Sequence, residues 1–80
     1  MQKTEIVLSS VSDVRDFVNM VIQIGYSVDL MQGRHVIDAR SVMGIFSLDL
    51  MTPITVIAHG GDTRDFFKKL ERFKSKEITS

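Results

Sequence analysis

The chain contains no cysteine, and so disulfides, thiolate nucleophiles and cysteine-held metals are closed to it. It has no surplus of charge either. Ten lysines and arginines balance ten aspartates and glutamates, which leaves no overall field to gather nucleic acid or an anionic membrane surface. No apolar run approaches the roughly 18 residues of a membrane span, and the chain does not begin with a charged segment followed by an apolar one, as a secretory leader does. A cytoplasmic location is the expectation. Catalytic constellations are missing as well: there is no Gly-x-Ser-x-Gly elbow, and the acidic residues are scattered at helix starts and loop ends, where capping explains them. His35 and His59 lie in separate strand-like segments without metal-ligand spacing. These gaps predict a protein that is not an enzyme and needs no cofactor.

What is present is a small folded domain. The 80 residues are 44% hydrophobic with a mean hydropathy of +0.10, too apolar for a disordered chain. One domain over residues 1–80 is expected. At this size only about 60 to 65% of the unfolded surface is buried, so the core is thin, and a sheet covered on one face by helices is the natural solution.

Glu5-Ile6-Val7-Leu8 reads as a first strand, closed by Ser9-Ser10. From Val11 to Ile24, Val14, Phe17, Val18, Val21, Ile22 and Ile24 recur at helical spacing, with Asp13, Arg15, Asp16, Asn19 and Gln23 on the other side. Either Ser10 or Ser12 can cap this helix, and Gly25 stops it. Tyr26 to Met31 and Arg34 to Ile37 form a hairpin through Gln32-Gly33. Ser41 then caps a short helix over 42–48 that Gly44 weakens. Ile54 to His59 is the strongest β segment and belongs in the middle of a sheet, with Gly60-Gly61 as its exit. Those glycines read as a turn rather than an anion nest, because Asp62 and Asp65 would repel phosphate. Asp62 can cap a last helix over 62–74, whose stripe is Phe66, Phe67, Leu70 and Phe73. The C-terminal part is locally basic through Lys68, Lys69, Arg72, Lys74 and Lys76, as cations in the last turns of a helix complement its dipole. Ser75 to Ser80 carry no periodicity, and fraying is expected there.

The run Asp38-Ala39-Arg40-Ser41-Val42-Met43-Gly44-Ile45-Phe46-Ser47-Leu48 resembles the segment bearing the regulatory serine of HPr, the small phosphocarrier of the bacterial phosphoenolpyruvate-dependent sugar phosphotransferase system. That family has Lys-Ser-Ile-Met-Gly there, then two apolar residues, Ser and Leu. Chain length and element order also agree. The resemblance implies an α+β, two-layer open-faced sandwich of order β-α-β-β-α-β-α, its four antiparallel strands arranged 1-4-2-3 with helices on one face. It also implies that Ser41 is a candidate for regulatory phosphorylation by the family's serine kinase. The implied protein-binding surface comprises Val42, Met43 and Phe46 with Arg15 and Phe17 of the first helix, and the implied partners are phosphotransferase-system components and a transcription factor.

One part of the family pattern is missing. The carriers hold the phosphoryl group on a histidine in the turn before the first helix, usually as Gly-(Leu or Ile)-His-Ala-Arg-Pro. Here the turn is Ser9-Ser10-Val11-Ser12-Asp13-Val14, without His, Gly or Pro. Asp13 and Asp16 add negative charge where phosphate needs positive. His59 and His35 are not positional substitutes, the latter standing three strands, or roughly 14 Å, from the first strand. The sequence therefore predicts a regulatory or protein-binding HPr-like module that carries no phosphoryl group. The alternatives are a carrier with an unusual acceptor and a small-ligand-binding α+β module.

Overall fold

The computed structural model describes residues 2–74; the fraying expected over Ser75–Ser80 lies outside them. The elements are β1 (Gln2–Ile6), α1 (Val11–Ile24), β2 (Val28–Gln32), β3 (His35–Asp38), α2 (Val42–Phe46), β4 (Ile54–Ala58) and α3 (Arg64–Lys69), the last continued by a 3₁₀ turn over Leu70–Phe73. The four strands form one antiparallel sheet in the order β1-β4-β2-β3. This is the α+β open-faced sandwich.

Alternation along the strands decides which face is covered. Ile6, Val28, Leu30, Ile54, Val56 and Ala58 are buried on one side against Val14, Phe17, Val21, Ile45, Phe66 and Leu70. By the same parity Lys3, Glu5, Asp29, Met31, Val36, Thr55, Ile57 and His59 share the open face.

β1 starts earlier than the apolar run suggests and ends at Ile6 instead of Leu8, because its partner β4 begins only at Ile54. Leu8 is still fully buried, and the Val7 amide donates to the Phe73 carbonyl at 2.7 Å. α1 spans the expected residues with Ser10 as its cap, and it stops at Gly25 in the left-handed region, φ +80°. In the hairpin, Gly33 takes the first of two turn positions at φ +60°, where a type II′ turn places glycine, so the turn is Gly33-Arg34. α2 is shorter than expected, ending at Phe46. The last helix is also shorter at both ends: Thr63 is its N-cap, while Asp62 accepts the Arg64 amide and guanidinium just outside. Ile22, expected on the core side of α1, is 57% exposed.

Candidate functional site

The turn before α1 is built from its serines. Ser10 accepts the Asp13 amide at 3.0 Å, and the Asp13 carboxylate accepts both the Ser9 amide (3.1 Å) and the Ser9 hydroxyl (3.0 Å). Ser10 thereby satisfies a donor that the helix start leaves open, and Asp13 ties the residue before the cap back to the first turn. The turn therefore holds a carboxylate clasped by a hydroxyl and an amide.

Beside this turn α1 and α2 enclose an open groove of about 260 Å³, lined by Val11, Val14, Arg15, Val18, Asn19, Val42 and Phe46. Arg15 is the only charged residue of that lining. Val11 is 68% exposed and Met43, on the outer side of α2, 83%; Val42 and Phe46 are half exposed. The chain thus leaves an apolar face open to solvent where the two helices meet. Of the expected surface residues, Arg15, Val42 and Phe46 line this groove and are exposed, and Met43 is exposed without lining it.

Phe17 is a correction. It is 0% exposed and packs edge-on to Phe73, ring centroids 6.1 Å apart. α1 carries an apolar arc too wide for one neighbour: Val14, Phe17, Val18 and Val21 turn to the sheet, while Val11 and Ile22 stay on the flank. Phe17 belongs to the first set and has no surface to offer.

Ser41 sits in an extended conformation at the start of α2, its hydroxyl oxygen accepting the Gly44 amide at 3.0 Å. Gly44 is small for a reason: a Cβ there would lie 2.9 Å from the Ser41 hydroxyl oxygen and 3.2 Å from Ile37. Just upstream, Arg40 closes a bidentate pair on Asp38 and lowers that carboxyl's pKa through its side-chain and backbone hydrogen bonds. Ser41→Ala is expected to cost ~1 kcal/mol by orphaning the Gly44 amide, whereas Ser41→Asp should retain the cap. Urea denaturation of both variants checks this; equal loss in both would deny Ser41 the capping role.

Two arrangements escaped the sequence. His59 Nε2 lies 2.9 Å from Asp29 across the open face, and the Gln32 side-chain amide grips the loop after α2. Gln32 donates to the Asp49 carbonyl (2.7 Å) and the Thr52 hydroxyl (2.9 Å) and accepts from the Asp49 amide (2.8 Å). That grip fixes the distal end of the α2 segment, beyond which Met51 stands 90% exposed. Among the described residues no group of three or more potential ligands could hold a metal ion, and no helix is long and apolar enough to cross a membrane.

No protein-family model matches the chain, and no curated protein matches it. Solved structures do. A Thermoanaerobacter tengcongensis protein described as HPr-C-His superposes with a TM-score of 0.76 at 20% identity, covering 90% of this chain and 89% of that one. The phosphocarrier protein HPr of Bacillus anthracis gives 0.71 at 18% identity over 92% and 96%. The Bacillus subtilis catabolite repression containing protein Crh, described as a swapped, intertwined dimer, gives 0.65 at 23% identity over 90% and 88%. The fold is that of HPr.

Proposed function

We propose that this chain is a regulatory, protein-binding module of the bacterial sugar phosphotransferase system, cytoplasmic, without enzymatic activity, and without the phosphoryl-carrier step of the proteins whose fold it shares. The observation that carries the reading is the turn before α1, where Ser9, Ser10 and Asp13 bond one another and no histidine stands. A carboxylate at this position repels a phosphoryl group. The α1/α2 groove supports the other half of the reading, because an exposed apolar face with one cation suits an apolar partner surface bearing an acidic group. Phosphotransferase-system proteins, the family's serine kinase and a transcription factor are the proposed partners.

Ser41 is the proposed switch within that surface. Its side chain is on the exposed side of α2's first turn, between Arg40 and Val42. A phosphate there adds about two negative charges beside Arg40 and the helix amides, and it changes what the neighbouring Val42, Met43 and Phe46 can receive.

Two labelling reactions test the proposal. With phosphoenolpyruvate and the general phosphotransferase enzyme, no acid-labile label is expected; such a label, lost when His35 or His59 is replaced, would overturn the non-carrier reading. With the family's serine kinase and ATP, an acid-stable label is expected that disappears in Ser41→Ala. Met43→Ala should weaken capture of the partner while leaving stability within about 0.5 kcal/mol of the parent, since its side chain is already in solvent. A stability loss of ~2 kcal/mol or more would instead make that face core.

A further inference from the structure

β1 is an edge strand, and its outer side can be assigned residue by residue. The His59 amide donates to the Ser27 carbonyl at 2.9 Å, so the odd-numbered residues of β4 turn their backbone groups toward β2. Its even-numbered residues Ile54, Val56 and Ala58 therefore turn to β1, where they meet Ile6, Thr4 and Gln2. Lys3 and Glu5 are left pointing outward. The Val7 amide, in the same phase, agrees with this direction by donating away from β4 to Phe73. Among the described residues no strand lies outside β1, and neither Lys3 nor Glu5 makes an ion pair.

We propose that this outer edge pairs with the β1 of a second copy, antiparallel about a two-fold axis at Thr4, joining the two sheets into one. In that register Lys3 of each copy lies directly opposite Glu5 of the other. These are the residues whose N–H and C=O groups face outward, so each Lys3–Glu5 pair exchanges both backbone hydrogen bonds. Their side chains share the open face, where opposite charges face to face stabilise the pairing. Thr4 meets Thr4 on the other face, with Gln2 against Ile6.

Charge also fixes the register. A slip by two residues in one direction sets Lys3 against Lys3, and in the other Glu5 against Glu5, both of them repulsive. Charged residues on an edge strand ordinarily keep other chains away. Here the two signs, placed symmetrically about Thr4, exclude wrong registers and admit one. The opposite edge has no such symmetry: in β3 the outward residues are Val36 and Asp38, and the Asp38 carboxylate is already held by Arg40.

The experiment is sedimentation equilibrium of the full chain across micromolar to millimolar concentration. A monomer–dimer equilibrium is expected for the parent. Glu5→Lys and Lys3→Glu should each weaken it by about tenfold or more, as like charges then oppose one another. Mixing the two variants should restore dimer, because one copy then presents lysine at both positions and the other presents glutamate at both. Both residues are exposed, and thermal melts verify that each variant folds. A parent monomeric throughout, a dimer insensitive to both reversals, or a mixture that stays monomeric each overturns the proposal.

Discussion

Phe17→Ala should destabilise the protein by about 3 to 5 kcal/mol, a large share of the roughly 4 to 12 kcal/mol expected for 80 residues. The size follows from position. Phe17 is fully buried at the middle of α1 and meets Phe73 edge-on, with 84° between the rings. Phe73 ends the last helical segment, and Arg72 lies over its ring at 4.8 Å while donating to Asp16 of α1 at 3.1 Å. Truncating Phe17 removes the aromatic contact between the first helix and the last and leaves a cavity beneath both. The measurement is a urea curve by far-UV circular dichroism, with Ile22→Ala, on the exposed flank of the same helix, as the control expected to change little. A Phe17→Ala midpoint equal to that of Ile22→Ala would mean that α1 does not present this side to the sheet.

The second large effect is expected at Gly60. A Cβ there would lie 2.5 to 2.6 Å from the ring carbons of Tyr26, near the root of a side chain that cannot swing away freely. Tyr26 is itself set edge-on against Phe66, centroids 6.2 Å apart. Gly60→Ala should cost about 1 to 3 kcal/mol, the range for forcing extra volume into a packed site. Tyr26 is the single tyrosine and there is no tryptophan, so the phenol can be followed alone. Burial, then Asp62 and Asp65, raise its pKa above the ordinary value; displacement of the ring by the added methyl group should bring its alkaline titration back toward that value. In a Tyr26→Ala background the Gly60 substitution should become nearly neutral, giving a large coupling in the double-mutant cycle. Simple additivity would show that Gly60 answers to something other than the ring.

The glycines illustrate how far a sequence can be read. Gly60-Gly61 is legible as the exit from a β segment, but the ring that demands glycine at 60 stands thirty-four positions away and is brought there only by the fold. The His59–Asp29 pair hides for the same reason: it needs the β2–β4 register. Elements with their own periodicity and caps, such as α1 with Gly25 at its end and Ser10 or Ser12 at its start, are legible because the forces that define them are local, and the structure chooses Ser10. β1 is displaced from its expected place because an edge strand tolerates polar residues, so Gln2, Lys3 and Thr4 do not advertise it, while Val7 and Leu8 continue the apolar run past its end. Phe17 fails as a surface residue because periodicity places residues on a helix side without saying whether the sheet or α2 lies against it. The strand order 1-4-2-3 is reached by resemblance, since pattern alone does not choose among antiparallel orders. The site has the same division: the absence of histidine from the turn before α1 and the Ser41 cap are visible in the sequence, whereas the groove exists only once α1 and α2 are side by side.

The sheet order sets a timetable for folding during synthesis. β1 is made first, yet its only strand partner among the described residues is β4, with Thr4 opposite Val56. At roughly 5 to 20 residues per second, the intervening chain takes about 3 to 10 s to appear. Helix α1 and the β2–β3 hairpin can form within microseconds of emerging, and so they wait for β4 rather than the reverse. Throughout that interval Ile6 and Leu8, both fully buried at the end, have no sheet to enter and can be sheltered only by collapse against α1. The strand that joins β1 to the rest of the sheet is thus the last to arrive, and loop closure over this span makes its docking the step most exposed to delay.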